Sequence, residues 1–181
     1  MEGIETHAEG ILTLPGSVIA IGAFDGVHQG HQAVIREAVK RAKILGVPSL
    51  IYTFDPPPRF YFQGVRILTT VEEKLVLLDK LGVDHVVIAR FDEFYTMRPP
   101  IDFIEDLKKF SPIEIIVGSD FRFGGNREGD IQLLEQYFQI RVNQPVCCSK
   151  GKVISSTRIR KLILTGNIQE SLSLLGRLSG S

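Results

Sequence analysis

The chain has 181 residues, a length that suits one domain with a substantial hydrophobic core. Hydrophobic residues make up 44% of it and charged residues 23%, which excludes an intrinsically disordered protein. Basic and acidic residues both number 21, so the net charge is zero and a general nucleic-acid binder, which needs a basic surplus, is not expected. A small anionic ligand stays compatible, because a pocket can be locally basic in a neutral protein.

The sequence gives no sign of export or of membrane insertion. Residues 1–14 lack the apolar run of a signal peptide, and no stretch approaches the roughly 20 apolar residues of a membrane span. Cys147 and Cys148 are adjacent, which provides no disulfide framework and only a poor metal site. A reduced, cytoplasmic setting is therefore expected, and ordinary packing of these thiols is favoured over a reactive dithiol. The oligomeric state is not predicted.

Short apolar runs alternate with amphipathic stretches along the chain, which is typical of an α/β domain. The predicted strands are 18–22, 49–54, 86–89, 113–118, 140–142 and 152–154. The predicted helices are 31–45, 70–81, 100–110, 130–138, 156–164 and 168–175. This alternation favours right-handed crossovers and a mostly parallel sheet flanked by helices. Ligands of such sheets bind at the carboxyl ends of the strands, so functional motifs are expected directly after strands.

The segment between the first predicted strand and the first predicted helix is rich in glycine and histidine. Gly22, Gly26 and Gly30 allow tight turns and close approach of the backbone to a ligand. His28 and His31 are three residues apart at a helix start, so both can face one anion above exposed N–H groups. Their ring N–H groups would stabilise charge that develops on a phosphate.

The same segment has other interpretations. For a lone pair of this spacing, two solvent-facing histidines beside turn glycines are the favoured explanation. A zinc site has little support, because the remaining histidines, His7 and His85, are isolated in the sequence. A Walker A loop and a Gly-x-Gly-x-x-Gly fingerprint are both missing from the sequence, so other routes to nucleotide binding lack support.

Two further segments follow predicted strands. Residues 52–58 contain three consecutive prolines and predict a rigid turn. One of the aromatic residues at 60–62 could stack on a planar ligand, although core packing explains each of them equally well. In residues 117–124, Asp120 is a candidate ligand-binding group and Arg122 a candidate phosphate contact, with a charged surface turn as the alternative.

A fourth segment, residues 154–160, places three hydroxyls and two arginines at the start of a predicted helix. Serine or threonine in this position is usually an N-cap. Hydroxyls combined with Arg160 also form an anion cradle, because arginine offers a planar fork to phosphate.

These four segments together resemble one enzyme family. His28-Gln29-Gly30-His31 is similar to the His-x-Gly-His signature of the nucleotidylyltransferase superfamily, and the longer string from Phe24 to Gln32 resembles its FAD synthetase (FMN adenylyltransferase) branch. Residues 53–58, 118–124 and 154–160 resemble that branch's Thr-Phe-Asp-Pro-His-Pro, Gly-x-Asp-Phe-x-Phe-Gly and Ile-Ser-Ser-Thr-x-x-Arg segments. The resemblance covers about residues 18–177, and Pro57 departs from it by standing where histidine is usual.

The resemblance implies a Rossmann-like nucleotidylyltransferase domain that transfers AMP from ATP to FMN and releases pyrophosphate, with Mg²⁺ accompanying ATP. The implied catalytic residues are His28, His31 and Arg160. The implied ATP-binding residues are Gly22, Phe24, Asp25, Gly30, His31, Ser156, Thr157 and Arg160. The implied FMN-binding residues are Asp55, Pro56, Pro58, Phe62, Asp120, Phe123 and Asn126. Protein ligands to a metal are not expected, and Arg158, at a variable position, should point elsewhere.

Two alternatives stay open at this point. The same ATP-binding residues could act on a different acceptor. Alternatively, the chain could bind flavin or nucleotide without turnover, which is compatible with Pro57 standing where histidine is usual. Bacterial members of this branch usually carry a riboflavin kinase barrel after a Leu-Gly-Arg segment. Here that segment lies at 175–177, and only four residues follow it. We therefore expect one adenylyltransferase domain over 1–181 and no kinase activity; a stand-alone enzyme and a shortened bifunctional chain are not distinguished.

Overall fold

A single six-stranded sheet runs through the computed structural model, which describes residues 3–177. Its strands are β1 (Glu5–Ala8), β2 (Ser17–Ile21), β3 (Ser49–Asp55), β4 (His85–Arg90), β5 (Pro112–Gly118) and β6 (Ile140–Asn143). The helices are α1 (Gln29–Leu45), α2 (Pro58–Gln63), α3 (Val71–Lys80), α4 (Glu93–Thr96), α5 (Pro100–Lys108), α6 (Ile131–Glu135), α7 (Ser156–Leu164) and α8 (Ile168–Leu174). A single 3₁₀ turn spans Gly125–Arg127.

The strand order is β1-β4-β3-β2-β5-β6, and every neighbouring pair is parallel. This confirms the predicted α/β, Rossmann-like architecture. From β2 the chain moves to β3 and β4 on one side, and then crosses to β5 on the other side. The direction of winding therefore reverses beside β2, and the loops after β2 and β5 border the crevice where such sheets bind ligands.

Helices cover both faces of the sheet. On one face, Val18 and Ala20 of β2 pack with α1 and α3 through a cluster that includes Ile35, Val39 and Leu78. The other face is rich in aromatic residues from β3, from α5 and the turn that follows it, and from the segment after β5. These residues are Tyr52, Phe54, Phe103, Phe110 and Phe123. A third, smaller cluster lies apart from these two and joins α7 to α8 through Ile154, Ile159, Leu174 and Leu175.

Most of the predicted elements are present, with shifted ends. Helix α1 begins at Gln29 instead of residue 31, because His28 is its N-cap. Helix α3 begins as predicted after Thr70, whose Oγ1 accepts a hydrogen bond from the backbone N of Glu73 at 3.1 Å. The helix predicted at 130–138 covers only Ile131–Glu135.

The predicted strand at 152–154 is wrong. Val153 forms only an isolated antiparallel bridge with Cys147, so this segment makes a small loop closure and does not extend the sheet. Three short elements were not predicted: β1, α2 and α4. Strand β1 is a four-residue edge strand whose side chains are mostly exposed and lack an apolar pattern. None of the helices in residues 3–177 combines the length and apolar character that crossing a membrane requires.

Candidate active site

The loop after β2 has an unusual backbone. Phe24 and Val27 are both buried, and their φ angles of 49° and 42° lie in the left-handed region. A β-branched residue is rare there, so surrounding contacts must hold the loop in this shape. One such contact is the hydrogen bond from the backbone N of Gly26 to Thr69 Oγ1, at 3.0 Å.

Two glycines of this loop allow ring side chains to lie against the backbone. A Cβ atom at Gly30 would lie 2.9 Å from Cε1 of His28, and one at Gly22 would lie 3.1 Å from the ring of Phe24. Real Cβ atoms essentially never approach another heavy atom within 3.0 Å, and a separation of 3.1 Å is tighter than nine in ten of their contacts. Gly22 and Gly30 therefore serve the site by making room for Phe24 and His28.

His28 and His31 form a stacked pair at the start of α1. Their ring centroids are 3.5 Å apart and their planes are inclined by 17°. Nδ1 of His28 accepts a hydrogen bond from the backbone N of His31 at 3.2 Å, so the neutral ring carries its proton on Nε2. Nδ1 of His31 is buried and has no hydrogen-bond partner within residues 3–177.

Both imidazoles are neutral at ordinary pH. Burial lowers the pKa of His28 to about 4. Burial also holds the pKa of His31 well below its ordinary value, and the nearby His28 and Lys74 lower it further. The pair thus offers neutral N–H donors at a helix N-terminus, where exposed backbone N–H groups favour an anion.

Asp25 is a buried carboxylate that organises the surrounding chain. Its side-chain oxygens accept hydrogen bonds from the backbone N of Leu68 at 2.9 and 3.1 Å and of Thr69 at 3.2 Å. It also forms an ion pair with Arg160. These contacts occupy the carboxylate, so Asp25 positions Arg160 and the segment at 68–69.

Two of the three guanidinium nitrogens of Arg160 donate hydrogen bonds within the protein. Nη2 donates to Asp25, and Nε donates to the backbone oxygen of Arg66 at 2.6 Å. Nη1 is buried and has no hydrogen-bond partner within residues 3–177. A buried guanidinium nitrogen without a partner is suited to bind an anion.

The N-terminus of α7 lies against the same loop. The hydroxyl of Ser156 donates to the backbone oxygen of Asp25 at 2.9 Å, and Arg59 of α2 donates to the hydroxyl of Thr157. Ser155 caps the helix by accepting from the backbone N of Arg158 at 3.1 Å. The structure therefore brings Ser156, Thr157 and Arg160 together with the first loop, although 120 or more positions separate them in the chain.

Arg158 points away from this group, as expected from its variable position. Its Nη1 lies 3.3 Å from Cys148 Sγ, and its Nη2 lies 3.2 Å from a carboxylate oxygen of Glu170. The hydrogen bond from Arg158 lowers the pKa of the Cys148 thiol to about 7.

Lys74 is a functional candidate that sequence reasoning missed. Its side chain is buried, and Nζ donates to the backbone oxygen of Ala23 at 2.8 Å and to Thr53 Oγ1 at 3.3 Å. Burial lowers its pKa to about 8, although Asp25 and Asp55 act in the opposite direction. A signal was available, because Lys74 lies on the apolar face of its helix, four residues before Leu78.

The Leu-Gly-Arg segment at 175–177, which the sequence marks only as the usual boundary before a kinase domain, also contacts the first loop. Arg177 Nη2 donates to the backbone oxygen of Gly26 at 2.7 Å, and Gln32 Nε2 donates to the backbone oxygens of Val27 and Leu175, both at 3.0 Å. This segment therefore holds the first loop in place and belongs to the architecture of the site.

The expected flavin residues after β3 lie beside an open cleft of about 440 Å³. Asp55 and Pro56 line it at the carboxyl end of β3, together with Tyr61, Ile88, Arg90, Phe91 and Asp92. Pro58 begins α2. Phe62 is 60% exposed, and its ring meets Phe91 edge to face with centroids 5.7 Å apart. Pro57 is buried at the N-cap of α2.

The expected flavin residues after β5 form a second group that does not line this cleft. Asp120 and Asn126 are exposed, with Asp120 just past the end of β5. Phe123 is buried, with its ring centroid 5.1 Å from that of Phe103. A Cβ atom at Gly129 would lie 2.4 Å from the Phe123 ring. Phe123 thus has a core-packing role in the structure, and its prediction as a flavin contact stays a prediction.

A model of the FAD synthetase family matches residues 11–158. The chain belongs to the FAD synthetase family. The resemblance inferred from the four segments is thereby confirmed at the level of the family.

The chain is 59% identical over 165 residues to a Geobacillus thermodenitrificans protein named "Putative bifunctional riboflavin kinase/FMN adenylyltransferase", covering 91% of this chain and 92% of that one. It is 37% identical over 171 residues to the Escherichia coli K12 bifunctional riboflavin kinase/FMN adenylyltransferase, covering 89% of this chain and 54% of that one. This chain thus spans about half the length of the E. coli relative.

A solved structure has the same fold. It is described as a macrolide-efflux protein from Streptococcus pneumoniae, and it superimposes with a TM-score of 0.81 at 30% sequence identity. The match covers 96% of this chain and 70% of that one.

Proposed function

We propose that this member of the FAD synthetase family is an FMN adenylyltransferase, which converts FMN and ATP into FAD and pyrophosphate. The observation that carries the proposal is the stacked, neutral pair of His28 and His31 at the start of α1, beside a buried Arg160 with an unpartnered nitrogen. Donors of this kind, gathered at the carboxyl edge of a parallel sheet, suit a bound polyphosphate. Membership of the family supports the same reaction.

The reaction asks little acid–base chemistry of the protein. An oxygen of the FMN phosphate attacks the α-phosphorus of ATP, and the bond from that phosphorus to the departing pyrophosphate breaks. The nucleophile is already an anion, so neither a covalent intermediate nor a strong base is required. The protein therefore contributes alignment and neutralisation of charge.

His28 and His31 are proposed to donate to the phosphate oxygens whose charge grows in the transition state. A neutral imidazole keeps an N–H donor without adding a buried cation, and burial maintains this state for both rings. The stack fixes the two rings relative to each other before substrate binds. Preorganised donors in such a site commonly contribute a few kcal/mol to transition-state stability.

Arg160, Ser156 and Thr157 are proposed to hold the β and γ phosphates of ATP. The ion pair with Asp25 and the contact with Arg66 fix the guanidinium, which leaves Nη1 for an anion. The start of α7 adds backbone N–H groups and hydroxyls. Gly22, Phe24 and Gly30 act on the ATP side by shaping the loop around His28 and His31.

FMN is proposed to bind across the carboxyl ends of β3 and β5. FMN would be contacted from the β3 side by Asp55, Pro56, Pro58 and Phe62. From the β5 side it would be contacted by Asp120, Phe123 and Asn126. The exposed ring of Phe62 and the aromatic rim of the cleft, formed by Tyr61 and Phe91, support a planar aromatic ligand there. Pro57 removes the imidazole that the family segment usually offers, and it stands at the N-cap of α2.

Mg²⁺ fits this arrangement as a companion of the triphosphate. Asp25 is already engaged by backbone N–H groups and by Arg160, whereas Asp55 is exposed at the strand end. Such a site provides at most one or two carboxylates, as is usual for Mg²⁺ that is carried by nucleotide phosphates and water. When bound, the ion would neutralise phosphate charge.

The proposal covers adenylyl transfer on the small-molecule substrates ATP and FMN, in the cytoplasm, by one domain. A riboflavin kinase activity is part of the names of the relatives and is not proposed for this chain. The free, partly exposed cysteines agree with a reducing compartment.

The test is to mix the purified chain with FMN, ATP and Mg²⁺, to separate the flavins by chromatography and to assay pyrophosphate. FAD and pyrophosphate appearing in equal amounts would establish the reaction. A folded chain that binds ATP but forms neither product would overturn it, and would redirect attention to another acceptor or to a binding protein without turnover. A His31→Ala variant run alongside excludes a contaminating enzyme as the source of FAD.

A further inference from the structure

The edge of the sheet opposite the nucleotide loops carries a cluster that the adenylyltransferase function does not use. Glu5 and His7 are two residues apart on β1, so their side chains project from the same face. The parallel register pairs Glu5 with His85 of β4, which places all three side chains together. His7 and His85, isolated in the sequence, are therefore neighbours, which corrects the expectation drawn from their spacing.

The three side chains present their ligand atoms to a common point. Nε2 of His7 lies 3.2 Å from Nδ1 of His85, and a carboxylate oxygen of Glu5 lies 3.7 Å from the first and 3.5 Å from the second. A hydrogen bond between the two rings accounts for one of these three distances. It does not account for a triangle whose sides are nearly equal.

A tetrahedral metal site does account for the triangle. With bonds of about 2.0–2.2 Å to nitrogen and carboxylate oxygen, two ligand atoms of a tetrahedron lie roughly 3.3–3.5 Å apart. The observed separations of 3.2, 3.5 and 3.7 Å bracket that value. Two imidazoles and one carboxylate are also a donor set that zinc-class ions favour over magnesium or calcium.

We propose that Glu5, His7 and His85 bind one divalent transition-metal ion of the zinc class, with the fourth position open to water. The two histidine side chains are only 18% and 15% exposed, whereas that of Glu5 is 65% exposed. The rings are thus held by their surroundings, and the ion reaches the site from the side of Glu5. The inference goes beyond the proposed adenylyl transfer and does not depend on it.

The location indicates a structural role for this ion. His85 is the first residue of β4, and Arg90, at the rim of the cleft, is its last. At about 3.3 Å per residue the two ends of this strand are roughly 16 Å apart. The ion would therefore bind the short edge strand β1 to β4, across 78 positions of the chain, without reaching the cleft.

The test uses the untagged chain carrying Cys147→Ser and Cys148→Ser, which removes the thiols as competing ligands. Co²⁺ is titrated while the visible absorption of four-coordinate cobalt is followed, and Zn²⁺ uptake is measured by equilibrium dialysis. One equivalent of each ion is expected to bind. His7→Gln and His85→Gln should each weaken binding roughly tenfold or more, since loss of even an outer-shell partner has effects of that size.

Two further variants keep the outcome decisive. His28→Asn should leave the Co²⁺ spectrum unchanged, because it alters only the other histidine pair. Zn²⁺ is expected to raise the unfolding midpoint, and Glu5→Gln, at a mostly exposed side chain, should weaken binding and reduce that rise. Absence of stoichiometric binding, equal binding by the His7→Gln/His85→Gln double variant, or loss of binding in His28→Asn would each overturn the proposal. Circular dichroism without metal verifies that every variant is folded.

Discussion

Arg160 donates a hydrogen bond to the carboxylate of Asp25, although 135 positions separate the two residues. Both side chains are nearly buried, at 11% and 4% exposure. The contact fastens the start of α7 to the loop after β2, and so joins the two parts of the proposed ATP site. This charge pair therefore holds the two parts of the site together, alongside the hydrogen bond from Ser156 to the backbone oxygen of Asp25.

Breaking this pair from either side should destabilise the fold. Asp25→Asn keeps the size of the side chain but leaves the buried guanidinium uncompensated, so we expect the free energy of unfolding to fall by about 3–5 kcal/mol. Urea denaturation of Asp25→Asn, Arg160→Ala and the double variant measures the coupling. The double variant should lose clearly less than the sum of the single losses; additive losses would mean that the pair does not act as a unit.

Arg160 and Arg158 lie on the same helix and should respond differently to substitution. Arg160→Ala should raise KM for ATP roughly tenfold or more, on the scale of a lost charged hydrogen bond, and Thr157→Ala should raise it less. Arg158→Ala is the matched control, because that guanidinium contacts Cys148 and Glu170 instead. Steady-state kinetics at saturating FMN measure the effect. An unchanged KM in both Arg160→Ala and Thr157→Ala would remove the cradle from the mechanism.

His31→Ala should lower kcat by about one to three orders of magnitude, the range for loss of one preorganised donor. KM for ATP should change much less, because the interaction strengthens only as charge develops. Lys43→Ala, at the exposed far end of the same helix, serves as the control. Near-normal turnover by His31→Ala would exclude His31 from catalysis.

The histidine pair should remain neutral well below neutral pH. Because burial lowers the pKa of His28 to about 4, its imidazole resonances should not titrate between about pH 5 and about pH 8. The unfolded chain binds this proton near pH 6.5, so this residue's contribution to stability is lost as the pH falls from about 6.5 towards 4. NMR titration of the histidine-labelled protein, with His28→Asn for assignment, measures it; a midpoint near 6.5 for His28 would contradict the prediction.

Lys74 should make stability increase at alkaline pH. Its pKa is about 8 in the folded protein and about 10.5 in the unfolded chain, so between these values the unfolded chain holds more protons. Stability should therefore rise by about 2 kcal/mol from about pH 7.5 to about pH 9.5. Lys74→Met should lack this rise. Urea unfolding of both proteins at the two pH values measures the difference, and parallel pH dependence would show that Lys74 does not carry it.

Much of the fold could be predicted because its strands are buried on both faces. Every residue of β2 is buried, and a continuous apolar run marks such a strand plainly. The edge strand β1 and the short helix α2 carry no such signal. Strand β1 has polar, mostly exposed residues, and α2 begins at the last of three prolines that indicated only a turn.

The site could be predicted only as separate segments. The spacing of His28 and His31 indicated a shared anion site, because a helix start brings residues three apart to one side. Contacts between distant segments leave no local pattern, so the partners of Asp25 and Arg177 were not predictable. A motif position can also point away from the observed packing. Phe123 was predicted to contact flavin, whereas in the structure it packs against Phe103 as a core residue.

Because of the third hydrophobic cluster, the local stability of α7 and α8 differs from the global stability of the sheet. Helices α7 and α8 pack mainly on each other and on the segment around Leu68, rather than on the sheet. They can consequently loosen as a unit of low local stability while β2 to β5 stay folded. Arg160 would leave Asp25 in that opened state, and the phosphate cradle would disassemble without global unfolding. Substitutions in this cluster would thus change the rate of nucleotide exchange without changing the thermal stability of the sheet.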